Sequence, residues 1–268
     1  MNRILAFILI VNMCVVCSVA TTMSGSARSD EGTGEMASRI TIEVVPGVAV
    51  EMVYIPGGTF NMGATAEQVS HAADDEYPVH SVTLSGYYIA TTECTQRLWN
   101  VIMKDNPSML KGDLLPVTNV DIYDCDEFVA ELSARTHHHF ALPTEAQWEY
   151  AARGGSLGES ACFSGGNDIN RLAWYEANAS QPRTVATKLL NDLGLYDMSG
   201  NVYEICDDEY KAYESQPVEE PRAKGSGQQV FRGGAYNSTV SDCRTTARAF
   251  APSDFSADFI GFRLVLLP

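Results

Sequence analysis

The chain is short of basic residues, of paired cysteines, of internal repeats and of apolar runs long enough to cross a bilayer. Lys and Arg number 18 against 34 Asp and Glu, giving a formal net charge of −16. Nucleic acids and anionic membrane surfaces both demand basic patches, so the balance argues against either as a partner. It suits solubility, and carboxylates that hold cations. Seven cysteines are present, but Cys14 and Cys17 fall in or beside the N-terminal apolar run. Cys94, Cys125, Cys162, Cys206 and Cys243 remain, an odd number at irregular spacing with no Cys-x-x-Cys pair. That excludes the usual structural zinc and thioredoxin-type motifs. After export one or two disulfides could form, with at least one thiol left over.

What is present begins with a leader. Met1-Asn2-Arg3 is a short positive start, residues 4–16 are apolar except for Asn12, and Ser18-Val19-Ala20 supplies small residues for cleavage. Residues 1–20 therefore read as a secretory signal, too short for a membrane span. Cys17 offers a second reading, as a lipid acceptor, although Val16 is bulkier than such a site prefers. Residues 21–38 are rich in Ser, Thr, Gly and charge and read as a flexible tether. Residues 39–268 carry no second linker and fit one domain. The expectation is an exported protein, periplasmic, cell-surface or secreted, soluble or lipid-anchored.

Within the domain, residues 40–54 read as strands broken at Pro46-Gly47, and residues 80–89 alternate as one half-buried strand. A helix from near Thr92 buries Leu98, Trp99, Ile102 and Met103. A second spans residues 121–134, with Ile122, Cys125, Phe128, Val129 and Leu132 on one side. The third opens at Pro143-Thr144, where Thr144 and Gln147 form a capping box, and stops at Gly154-Gly155. His137-His138-His139 reads as a solvated helix-to-strand connection, and Asp74-Asp75-Glu76 as a solvated acidic loop. Residues 156–230 are mostly turns and short strands. Sparse helices with strands at both ends predict an α+β domain whose terminal strands pair.

Several segments then occur together in a telling order. They include Tyr54-Ile55-Pro56-Gly57-Gly58-Thr59-Phe60-Asn61-Met62-Gly63, Thr92-Glu93-Cys94-Thr95-Gln96 and Asn106-Pro107-Ser108. Pro143-Thr144-Glu145-Ala146-Gln147-Trp148-Glu149-Tyr150-Ala151-Ala152-Arg153-Gly154-Gly155 follows. The second half adds Gly200-Asn201-Val202-Tyr203-Glu204, Phe231-Arg232-Gly233-Gly234 and Gly261-Phe262-Arg263-Leu264. Together they resemble the formylglycine-generating-enzyme, or sulfatase-modifying-factor, family over residues 45–266. The resemblance implies a variant of the C-type-lectin-like fold with bound calcium. In the family's oxidases it implies two cysteines that hold copper(I) and convert a sulfatase cysteine to formylglycine.

The chain departs from that pattern at the cysteines. Counted without a gap from Arg232-Gly233-Gly234, Ser238 takes the first cysteine's place and Cys243 falls at the second. Aligning Arg248 and Gly261-Phe262-Arg263 needs a short deletion that removes even this match. Soft copper(I) requires paired thiolates, and a hydroxyl is a poor substitute. Ala235 and Tyr203 also replace a serine and a tryptophan of the pattern. Cys243 is thus catalytic only if the chain is an oxidase after all, with copper(I) as its metal. The calcium positions carry over better: the resemblance places one ion at Asp197, Gly200, Val202 and Glu204, and another near Asn178 and Ala179. Hard oxygen donors of this kind suit calcium. Glu145 and Glu149 read as structural. The favoured function is a non-oxidase binding module, with a protein or glycan ligand meeting Tyr236, Ser238, Arg244 and Arg248, flanked by Phe250 and Phe255.

Overall fold

A computed structural model describes residues 38–267 apart from 157 and 159. The expected signal peptide and, but for Ser38, the tether lie outside the described residues.

The chain first builds a hairpin, β1 (Arg39–Val45) and β2 (Val48–Ile55), around the Pro46-Gly47 turn, as the sequence pattern requires. Then come β3 (Gly58–Met62), β4 (His80–Leu84) and β5 (Tyr87–Ala90). The single strand expected over residues 80–89 is therefore two, and they enter different sheets. Gly86 sits at the break, where a Cβ would meet the Tyr54 hydroxyl at 2.2 Å. Helix α1 (Gln96–Ile102) starts later than expected, because Thr95 rather than Thr92 caps it. Helix α2 (Ile122–Thr136) is capped by Asp121, whose carboxylate accepts from the Tyr123 and Asp124 amides. It ends with His137 in the left-handed conformation (φ 59°), one residue type of the expected connection before β6 (Phe140–Ala141). Helix α3 (Glu145–Ala152) has the predicted capping box, Thr144 with Gln147. After α4 (Ile169–Leu172) come β7 (Tyr203–Glu209), β8 (Val218–Glu219), β9 (Gln228–Arg232), β10 (Arg248–Pro252), β11 (Ile260–Gly261) and β12 (Val265–Leu266).

Three sheets result, with orders β1-β2-β5-β12-β6, β10-β9-β7-β11 and β3-β4-β8. The terminal strands β1 and β12 share a sheet without pairing, since β2 and β5 lie between them. Helices α1 and α2 cover the first sheet through Trp99, which stacks on Phe128 at 5.1 Å, with Phe262 edge-on to both. Helix α3 is buried along its whole length in a second cluster with Ile55, Leu195, Met198 and Val265. So complete a burial leaves its glutamates no water, and each needs a partner inside the protein. Parallel pairing of β11 with β7 sets Gly261 against Glu204, and so brings Arg263 to that glutamate.

Candidate functional site

The segment after Arg232-Gly233-Gly234 is packed from within. Gly234 (φ 73°) presses on a 3-10 turn, Ser241–Cys243, so closely that a Cβ there would stand 2.8 Å from Cys243 Sγ. Cys243 is fully buried, and burial first, then the charges of Asp242 and Glu176, pushes its thiol up to about 12. The Ser238 hydroxyl accepts from the Ala235 amide at 2.9 Å, closing its own turn. Position 243 thus holds a buried thiol kept neutral, and position 238 a hydroxyl engaged locally. Cys94, Cys125, Cys162 and Cys206 are likewise free thiols.

The residues expected at a binding surface each have a partner inside the protein. Arg244 is 3% exposed and grips Glu76 through both terminal nitrogens, at 2.8 and 2.5 Å. Thr246 and the Ala73 amide complete the shell of Glu76, whose pKa is lowered by these bonds against the opposing effect of burial. The acidic loop was expected to be solvated; in fact it sends Glu76 into the core because Arg244 waits there. Arg248 makes a two-bond pair with Glu145 (2.7 and 2.8 Å) and lies 3.9 Å over the Tyr213 ring. Tyr236 is buried and donates to Asp258. Arg232 is enclosed between Glu149, Glu145 and the Trp148 ring. Glu145 and Glu149 are structural, as their helical setting suggested. Of the segment's large apolar side chains, Val240, Phe250 and Phe255 remain exposed.

The calcium positions form a different kind of cluster. Gly200 takes φ 78° where a Cβ would lie 2.3 Å from the Trp174 carbonyl, so the loop at 197–204 closes tightly. Glu204 is buried; Arg263 donates to both of its oxygens at 2.6 Å, and the Trp148 indole donates at 2.7 Å. Asp197 Oδ2 accepts from the Ala186 amide at 2.7 Å, while Oδ1 is buried without a hydrogen-bond partner. Burial drives the Asp197 carboxyl up to about 6. Val202 is fully buried beside them. Glu93, quoted within a motif but given no role by sequence reasoning, joins this cluster. Its Oε2 accepts from Asn201 Nδ2 at 3.0 Å, and its Oε1 is also buried and unpartnered. Burial, then the charges of Asp197 and Glu204, raise its pKa well above the ordinary range. A lone acidic residue ahead of a helix cap is the only signal that marked it. The other expected site differs: the Asn178 amide closes its own turn with the Tyr175 amide and the Ala173 carbonyl.

A family description, the sulfatase-modifying factor enzyme 1-like domain, matches residues 43–267. The chain belongs to the sulfatase-modifying-factor family. Within that family it is 29% identical to the chaperone protein LppX of Paenibacillus barcinonensis, over 80% of this chain and 87% of the relative. It is 26% identical to the formylglycine-generating enzyme of Streptomyces coelicolor, over 79% of this chain and 87% of the enzyme. Among solved structures, Treponema denticola variable protein 1 superposes with a TM-score of 0.79 and 27% identity, covering 87% of this chain and 100% of that one. The family's fold is the mixed helix-and-strand architecture described above. The relatives that share the scaffold carry different names, a chaperone protein and a formylglycine-generating enzyme among them.

Proposed function

We propose that this sulfatase-modifying-factor domain is an exported, cation-stiffened recognition module for another protein, without cysteine-oxidase activity. The observation that carries the reading is the full burial of Cys243, with its thiol pushed up to about 12. Copper(I) takes thiolates, and a thiol held neutral at physiological pH with a hydroxyl at Ser238 supplies no such pair. A protein ligand agrees with the chaperone name of one relative of nearly full coverage. The exposed Val240, Phe250 and Phe255 leave apolar side chains open to such a ligand.

Calcium fits the loop at 197–204 by the chemistry of its donors. The buried, unpartnered Oδ1 of Asp197 is a hard oxygen lacking a positive partner, while Gly200 and Val202 would add backbone carbonyls. Glu204 contributes less than the resemblance implied, since Arg263 and Trp148 already engage both its oxygens. When bound, the ion supplies charge balance and fixes the loop. Arg263 holds Glu204 and, through the Tyr196 and Ala90 carbonyls, the adjoining strand ends.

The test is to incubate copper-loaded protein with a peptide carrying Cys-x-Pro-x-Arg and search for the aldehyde by mass spectrometry. No aldehyde is expected. Turnover that vanishes in Cys243→Ser would overturn the reading and make Cys243 the working thiol.

A further inference from the structure

Asp208 lies near the end of β7 and is buried, with no ion pair among the described residues. Its oxygens accept backbone amides, Oδ2 from Glu145 at 2.7 Å and Oδ1 from Ala223 at 2.6 Å. Burial outweighs these two bonds and, with the charges of Glu145 and Asp207, holds the carboxyl up at about 6. The nearby cations are drawn elsewhere. Arg222 and Lys224 both pair with Asp207, which the alternation of a strand turns to the opposite face from its neighbour. That face meets α2, where the charges of Asp207, Lys224 and Arg222 all act on Asp126. Lys211 pairs with Glu214, and Arg248 with Glu145. Asp208 is thus a buried carboxylate that is hydrogen-bonded but not neutralised, a costly state.

The same residue borders a cavity. A cleft of about 520 Å³ opens between β4, the start of α3 and residues 211–224, with Asp208 and His80 on its walls. Met62, Ala146, Val218 and Pro221 give it an apolar lining. His80 Nδ1 lies 3.1 Å from the Pro78 carbonyl, so that nitrogen carries the hydrogen and leaves Nε2 as an acceptor. Its ring packs on Tyr213 at 4.7 Å, and Tyr213 lies against Arg248 at 3.9 Å. Arg248 also lies over Tyr210, which stacks on the exposed Phe250 at 3.9 Å. One continuous column of rings therefore joins the wall of the cleft to an open aromatic side chain.

Apolar walls, a carboxylate short of a countercharge and an imidazole acceptor form the complement of an ammonium on an aliphatic stem. We infer that this cleft receives a lysine side chain of the partner protein, its ammonium pairing with Asp208 and its stem against the apolar walls, while Phe250 meets an apolar residue beside it. This rests on the recognition reading above and names the chemistry of the ligand. A domain of net charge −16 suits a partner that carries lysine.

The probe is a fluorescent, end-capped peptide with one lysine between two phenylalanines, titrated with the full chain and followed by anisotropy. Two comparison peptides carry norleucine, which keeps the stem, or acetyl-lysine, which keeps the length and removes the charge. Each replacement is expected to weaken binding about tenfold or more, because a desolvated carboxylate loses its partner. Asp208→Asn should weaken the lysine peptide to a similar degree and bring the three peptides close together, the non-additivity of a direct pair. Since Asp208 also accepts the first amide of α3, thermal melting checks that this variant folds. Ala212→Trp gives a second reading: Ala212 lines the cleft and is exposed, so the indole should obstruct entry and abolish binding at an unchanged melting temperature. If the lysine and norleucine peptides bind alike, or the preference for lysine survives in Asp208→Asn, the lysine assignment fails and the recognition reading stands. If none of the peptides binds, the assignment also fails, whereas the recognition reading falls separately, on the appearance of aldehyde in the test above.

Discussion

Two groups of buried carboxylates face opposite electrostatic circumstances in this domain. Around α3 and β9, Glu76, Glu145 and Glu149 meet Arg244, Arg248, Arg232 and Arg153, so that every acid has a guanidinium within hydrogen-bond reach. Around the 197–204 loop, three acids share Arg263. In the first group the pKa values of Glu76 and Glu145 are lowered despite burial. In the second, burial prevails and the carboxyls of Glu93 and Asp197 are raised. The count of arginines, rather than the depth of burial, separates a network in which every acid is paired from one left short of positive charge. In the complete network the Arg244 and Arg248 guanidiniums are engaged by Glu76 and Glu145.

The comparison breaks most visibly at Arg244. Arg244→Ala would leave Glu76 buried without its guanidinium, a loss of about 3–5 kcal/mol, read from urea denaturation. Arg244→Ala combined with Glu76→Gln should recover part of it, and no recovery would show that the pair is not the source of the cost.

A second test uses pH, because the two groups respond with opposite sign. Asp197 has a folded pKa near 6 against an ordinary 3.8, so its ionised form disfavours folding. In chelator, its contribution to stability is intact below pH 4 and is lost as pH rises through 6, about 3 kcal/mol in all. Asp208, also raised to about 6 by burial, adds a change of the same sign. Only the difference between wild type and Asp197→Asn isolates the cluster. Glu76, whose pKa is lowered, contributes stability above the ordinary carboxylate range and loses it as pH falls through its folded value. Saturating calcium should flatten the Asp197 component and leave that of Glu76 untouched.

The smallest effect belongs to helix α3, which carries two of the paired acids. Thr144→Ala removes the hydroxyl that accepts from the Gln147 amide and should cost about 1 kcal/mol in a thermal or urea melt. A much larger loss would mean that the cap also sets the position of Glu145 and Glu149 against their arginines.

Much of this was legible in the residues. Thr144 and Gln147 mark the start of α3 because capping is decided within four residues, and Pro46-Gly47 marks its hairpin turn for the same reason. The single strand expected over residues 80–89 divides because the alternation of His80–Leu84 gives way after Gly86 to the wholly buried Tyr87–Ala90, and only the close approach of Tyr54 shows that the chain must change sheets there. Arg244 and Arg248 misled similarly: an arginine near aromatics has the composition of a binding face, and nothing local reveals that its carboxylate partner lies more than a hundred residues away.

Local chemistry in the sequence, then, settled the α3 cap, the Pro46-Gly47 turn and the membership in a family. Those properties depend on near neighbours or on residue identity alone. The tertiary structure decided which charges are paired, that Cys243 is sealed and protonated, and that Glu93 stands with Asp197 and Glu204. Partnership and solvation arise from segments far apart in the chain meeting in a medium of low dielectric, where one missing countercharge outweighs any local preference.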